Sequence, residues 1–193
     1  MPRIIACSGV YFFNKEVVMN NPVLTAIYTR RSVREFNKTP VPNEKIIEII
    51  RAGTWAPSGL NNQPWRFAIV KDRELISKIS ELTKYQKTVE QANVLIPVFI
   101  DKNAMYNDVK DHQAIGACIQ NMLLAAHSME LGAVWLGEIL KSASALRELL
   151  KLPDHLELMA VIAVGYPLNH DQSSTRKPLE EVLVYVPENF KIS

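Results

Sequence analysis

Apolar residues recur at helical spacing in five stretches of this chain and gather into short runs in five others. Asn21-Pro22 reads as a helix cap followed by proline in the first turn, and Val23, Ala26 and Ile27 carry the pattern toward residue 30. Thr39-Pro40-Val41-Pro42 breaks the chain. Asn43 then caps a second predicted helix, with Ile46, Ile47 and Ile50 on one face and an end near Trp55. A third follows Asp72 and carries Leu75, Ile76, Ile79 and Leu82. The longest pattern covers residues 111–131, where Ile115, Cys118, Ile119, Met122, Leu123 and Ala126 form a broad apolar face. Gly132 is placed to close that helix in a left-handed cap. Ser142 or Ser144 opens a small helix with Leu146, Leu149 and Leu150.

The predicted strands are residues 66–70, 94–100, 133–136, 156–164 and 182–186. Pro97 interrupts the second of these and, lacking an N–H, places that position at an edge or a bulge. Residues 85–92 read as a polar connection. Helices and strands alternate irregularly, which predicts an α+β domain over residues 19–193, with no internal repeat and no linker. Residues 1–18 are expected to be a dispensable extension: the apolar run 4–13 is too short to cross a bilayer, and Met19 restarts the chain just before the first helix cap.

Composition narrows the function only a little. A hydrophobic content of 48%, a charged content of 22% and a net charge of +2 describe an ordinary soluble domain and argue against a dedicated nucleic-acid binder. The two cysteines form no disulfide framework, the four histidines are scattered, and no metal spacing is present, so a cytoplasmic protein without a metal site is expected. Gln120, Asn121 and His127 rule against a membrane span in the long helix.

The chemistry concentrates elsewhere. Arg30-Arg31-Ser32-Val33-Arg34 places three guanidinium groups and a hydroxyl within five residues. Arginine forks and a short hydroxyl donor suit phosphate oxygens, although a helix C-terminus also tolerates cations on a solvated surface. Ala56-Pro57-Ser58-Gly59-Leu60-Asn61-Asn62-Gln63-Pro64-Trp65 is a loop unusually rich in amides. A Leu136-Gly137-Glu138 turn follows the third predicted strand, and a second basic pair, Arg176-Lys177, lies far downstream. Neither a Gly-x-Gly-x-x-Gly nor a Walker motif is present. Phosphate-binding cations at one end and amide donors at the other describe a mononucleotide such as FMN.

In these segments the sequence resembles the FMN-dependent nitroreductase family. Arg30 to Phe36 is similar to the family's opening phosphate motif, residues 56–65 to its Pro-Ser-x-x-Asn-x-Gln-Pro-Trp loop, and Val164-Gly165-Tyr166-Pro167 followed by Arg176 to its closing motif. The resemblance spans roughly residues 26–184. It implies a nitroreductase-like fold, with a central, mostly antiparallel sheet flanked by helices and a long central helix at a homodimer interface. It further implies that Arg30, Ser32, Arg34 and Arg176 hold the FMN phosphate or ribityl chain, with Arg31 beside the phosphate or the ring's pyrimidine edge. Pro57, Ser58, Gly59 and Asn61 would come from the other subunit. Leu136, Gly137 and Glu138 would pass along the ring, although relatives often carry a second glycine where Glu138 stands. The pyrimidine-edge contact has no unambiguous match, Tyr85 and Gln86 being the candidates.

The activity implied is oxidation of NADH or NADPH with hydride passing through flavin N5 to a nitroaromatic, a quinone or a similar small oxidant, without a catalytic side chain, a nucleic-acid partner or a membrane. Dehalogenation, flavin cleavage, or flavin binding without catalysis on the same fold are the alternatives.

Overall fold

The computed structural model of the protein describes residues 21–187 and 190. The segment 1–18 read as an extension lies outside the described residues. Helix α1 (Pro22–Thr29) starts as its sequence dictates, with Asn21 Oδ1 accepting from the N–H groups of Val23 and Leu24. Helix α2 (Asn43–Thr54) follows, with Pro42 at the cap and Asn43 as its first residue. It buries Ile46, Ile49 and Gly53, whereas Ile47 faces outward. The inward stripe therefore sits one position away from the predicted one on part of the helix.

Four antiparallel strands form one sheet in the order β1-β2-β4-β3: β1 (Trp65–Phe67), β2 (Val94–Asp101), β3 (Gly132–Leu136) and β4 (Leu156–Gly165). Pro97 sits in the interior strand β2, opposite Val161. Its carbonyl accepts from Ala68 N–H. Its missing donor faces the same side, toward Ala68; β1 ends one residue earlier at Phe67, and pairing resumes only as the isolated Val70–Leu95 bridge. A register irregularity follows at once, between Val98 and Phe99.

Helices cover both faces of the sheet. On one face, alternate residues Val94, Ile96, Val98, Ile100, Ala160 and Ile162 pack against α2 and the long helix α5 (Asp108–Ser128). On the other, Leu95, Phe99, Val161 and Ala163 pack against α3 (Arg73–Ser80), α4 (Gln86–Gln91) and α6 (Ala143–Leu149). Residues 86–91 are helical rather than a polar connection, because Thr88 and Val89 turn inward from an otherwise solvated turn and a half. Residues 182–186 form no strand. A short helix α7 (Leu179–Val182) ends there, and Val184 and Tyr185 are fully or nearly exposed. Among the described residues no helix is long and apolar enough to cross a membrane, and no group of His, Cys, Asp or Glu could hold a metal ion.

The left-handed residue after α5 is Glu130 (φ 63°), and Gly132 instead opens β3. A Cβ at Gly132 would lie 2.7 Å from Val33 Cβ, so glycine is needed there for close approach, not for its φ. That contact seats the arginine segment. Val33 N–H donates to Ala133 O, and Ser32 bridges Ala133 in parallel along the sheet edge. Gly132→Ala is expected to cost about 1–3 kcal/mol of stability in urea unfolding, through overpacking against a backbone-anchored side chain.

Candidate functional site

Arg30, Arg31 and Arg176 lie close enough for their charges to interact. Burial, and then the charges of Arg176 and Arg31, push the Arg30 guanidinium below its ordinary pKa. Residues 146 positions apart, Arg30 and Arg176, thus share one patch. Two carboxylates close to these arginines in sequence are paired with lysines: Glu35 with Lys87 at 2.9 Å, and Glu181 with Lys177 at 4.0 Å. Arg30 Nη1 is buried without a hydrogen-bond partner, and so is Arg31 Nε. A cation cluster with buried, unanswered donors fits an anionic group such as a phosphate.

Arg31 also serves the helix end. Its Nη1 donates to the carbonyls of Tyr28 (2.7 Å) and Arg30 (2.9 Å) at the C-terminus of α1. Arg34 is exposed. Arg176 donates to Ser174 Oγ and Thr175 O, which hold its own loop.

His127, in the last turn of α5, joins this cluster without having been predicted. Burial, then the charges of Arg30 and Arg31, lower its pKa and favour the neutral imidazole. Thr29 Oγ1 gives its one proton to Thr25 O, so His127 Nε2, 2.8 Å away, is the donor to that hydroxyl. A cavity of about 700 Å³ opens beside the cluster, lined by Thr29, Arg31, Val33, His127, Tyr166 and His170 among others. Of the predicted ligands it includes only Arg31.

The predicted ring-side turn lies along the same strand. From Ala133, which bridges Ser32, to Gly137 is about 13 Å of extended chain. Leu136 is buried, while a Cβ placed on Gly137 would meet nothing within 4 Å, so this turn borders open space. Glu138 follows, with its side chain engaged by other segments. Its carboxylate accepts from Thr83 Oγ1 (2.7 Å), Lys84 N–H (3.1 Å) and Lys141 Nζ (2.5 Å). Those bonds, led by the Lys141 and Thr83 contacts, hold its pKa down at about 2. The carboxylate therefore stays ionised at any working pH.

The amide loop is at the other end of the molecule. Leu60, Asn61 and Gln63 all take positive φ (54°, 55° and 49°), a concentration of left-handed non-glycine residues typical of functional loops. Ser58 Oγ accepts from Gln63 N–H at 3.1 Å, Gln63 Nε2 donates to Asn61 O, and Tyr106 lies across Gly59, leaving no room for a Cβ. Pro57, Leu60 and Asn61 are exposed. Asn62, which was not assigned a role, is the anchor. Its Nδ2 donates to Ala104 O (3.0 Å) and Asp111 Oδ1 (2.7 Å), while Asp111 Oδ2 accepts from the N–H groups of Tyr106 and Asn107.

Asp111 lies in the first turn of α5, and His127 is sixteen residues further along it. At 1.5 Å per residue they stand about 24 Å apart. The amide loop is fastened to the first end and the arginine cluster borders the second. Within one chain the structure unites Arg30, Arg31 and Arg176 beside the edge carrying Ser32, Leu136 and Gly137, and it keeps Pro57, Ser58, Gly59 and Asn61 far from them.

The molecule is an α+β domain whose single antiparallel sheet is covered by helices on both faces, with an arginine cluster beside one sheet edge and an amide-rich loop near the opposite end of α5. The nitroreductase family model matches residues 27–92 and 81–166, and the chain belongs to that family. It is similar to a nitroreductase-family protein from Desulfovibrio desulfuricans whose crystal structure is in complex with FMN. That match has 49% identity and a TM-score of 0.84, covering 87% of this chain and 98% of that one. A protein from Archaeoglobus fulgidus, described as a candidate NADH dehydrogenase/NAD(P)H nitroreductase, is 38% identical over 147 residues, 75% of this chain and 84% of its own. The NADPH-flavin oxidoreductase of Vibrio harveyi is 34% identical over 183 residues, 89% of this chain and 75% of its own.

Proposed function

We propose that this protein is a homodimeric, FMN-dependent NAD(P)H oxidoreductase that reduces nitroaromatics, quinones or similar small oxidants, with each flavin held between two subunits. The observation that carries this reading is the separation of about 24 Å between the two halves of the site within one chain. A mononucleotide cannot touch both ends of α5, so each amide loop serves the arginine edge of the partner. Several exposed apolar side chains also await a cover in the single chain: Trp55 at 82%, Leu60 at 85% and Val184 at 101%.

In this reading Arg30, Arg34 and Arg176 receive the phosphate, and Arg30 Nη1 gains the partner it lacks. Ser32 donates along the ribityl chain. Arg31 divides its donors between the α1 carbonyls and the ligand. Leu136 and Gly137 lie against the ring edge, where the open space at Gly137 admits it. Ser58, whose oxygen already accepts from Gln63 N–H, keeps its proton to donate across the interface, together with the exposed Asn61. The bound flavin supplies the redox chemistry by taking a hydride from NAD(P)H and passing it to the oxidant. The protein's part is to position the two reactants in turn and to shape the pocket. No side chain has to act as nucleophile or general base.

The purified protein is expected to be yellow, with one FMN per chain, and to oxidise NADH or NADPH steadily when a quinone or nitroaromatic is added. It is expected to sediment as a dimer at micromolar concentration. A folded, flavin-loaded monomer contradicts the split site. A colourless protein that takes up no FMN contradicts the whole reading.

A further inference from the structure

The Gly137 turn is tied to a distant segment by one side chain. Glu138 follows Gly137 directly and starts a 3-10 turn, Glu138–Ser142. Its carboxylate leaves that turn and accepts from Thr83 Oγ1 and Lys84 N–H across a sequence gap of more than fifty residues. Thr83 is buried, and its oxygen accepts in turn from Tyr85 N–H at 3.3 Å. Helix α4 begins at the next residue and has no side-chain cap of its own. One carboxylate thus satisfies, directly or through Thr83, two backbone donors of the segment just before α4, while Lys141 Nζ balances its charge from the same turn. The Lys84 ammonium lies over the Tyr85 ring, 5.4 Å from its centre, so a cation and an aromatic ring are carried by the segment that the clamp holds.

We infer that Glu138 is a positioning residue for the cofactor. Its carboxylate locks the Gly137–Glu138 backbone and the residue 83–85 segment into one body, so that both border the same edge of the flavin. This rests on the flavin reading above. A glycine at this position could form the turn but would leave the 83–85 segment unattached. The purpose of a glutamate here is therefore the clamp, and its effect on the cofactor passes through backbone placement rather than through contact with the ring.

The test compares Glu138→Ala, Glu138→Gln, Thr83→Val and Lys141→Met as dimers. The readouts are FMN dissociation constant, the visible spectrum of bound flavin, and amide hydrogen exchange over residues 82–88. Glu138→Ala is expected to weaken FMN binding about tenfold, to alter the flavin spectrum and to speed exchange at Lys84 and Tyr85. Thr83→Val is expected to give about threefold, and the Thr83→Val/Glu138→Ala double variant no more than Glu138→Ala alone, because Thr83 is held to the turn only by the Glu138 carboxylate. Lys141→Met is expected to leave FMN affinity within about twofold. Should Glu138→Ala fail to fold, Glu138→Gln keeps one acceptor, and about threefold weaker binding with faster exchange is expected. Unchanged FMN affinity and spectrum, with only a lower melting temperature, overturn the inference and reduce Glu138 to a structural tie between two segments. Failure of the wild-type protein to bind FMN at all overturns the flavin reading, and this inference with it.

Discussion

Replacing Arg30 with alanine is expected to weaken FMN binding by about ten- to a hundredfold while leaving the melting temperature of the cofactor-free protein unchanged or higher. A charge-assisted hydrogen bond is worth roughly 1.5–3 kcal/mol, and about 1.4 kcal/mol makes a decade in affinity. Arg30 Nη1 is buried with no partner, and Arg31 and Arg176 crowd the guanidinium with like charge. The side chain therefore contributes little to the empty protein and much to an anionic complex. Riboflavin, which has the ring and no phosphate, is the control: its weaker binding should be nearly indifferent to the substitution. Arg30→Lys should recover only part of the loss, because an ammonium keeps the charge without the fork. Equal weakening of riboflavin and FMN would mean that the cluster does not grip phosphate.

The second large effect falls on stability. Asp111→Ala is expected to destabilise the fold by about 3 kcal/mol or more and to loosen the amide loop. Asp111 is completely buried and accepts three hydrogen bonds, from Asn62 Nδ2 and the N–H groups of Tyr106 and Asn107. Its removal leaves those donors facing a cavity, each costing of the order of 1–3 kcal/mol, partly relieved by water. Burial by itself works to raise the Asp111 pKa, but the bonds from Asn107, Asn62 and Tyr106 win and hold it below the ordinary 3.8. A depressed carboxylate stabilises the fold above its unfolded pKa and loses that contribution as the pH falls through its folded one. The difference between wild type and variant should accordingly be full at neutral pH and shrink below about pH 3.8. Urea unfolding across this range checks both magnitude and sign. FMN affinity should fall as well, since Asn62 would no longer fix the loop that carries Ser58 and Asn61.

The elements that were legible in the sequence are those with local causes. Asn21 and Asp72 cap helices through their own side chains, and the apolar runs of β2 and β4 are strands buried on both faces. The misread segments depend on distant partners. Helix α4 has only two buried positions and no side-chain cap, so its local pattern looks like a loop. Pro97 lies in an interior strand with its missing donor turned toward the irregular stretch after β1, which only the sheet order reveals. Gly132 matched a cap by position, but its reason is the approach of Val33. Residues 182–186 have strand-like composition but pair with no strand of the described chain.

The site divides in the same way. Residue types suited to phosphate could be read from Arg30 to Arg34, and the amide loop stood out by composition. That Arg31 partly serves the α1 carbonyls, that His127 joins the cluster, and that Asn62 rather than Asn61 anchors the loop through Asp111 are tertiary facts without a local signature. The separation of the two halves follows from the length of α5 and from which residues meet each of its ends.

That separation is tested most directly by mixing subunits. Arg30→Ala chains and Asn61→Ala chains, each weak for FMN as homodimers, are combined into heterodimers and titrated with FMN. If the arginine edge of one chain pairs with the loop of the other, one site in each heterodimer carries both substitutions and the other carries neither. The expected result is a class of sites with wild-type affinity, filled to one FMN per heterodimer. If both halves of the site came from the same chain, every site would carry one substitution, and no wild-type class would appear.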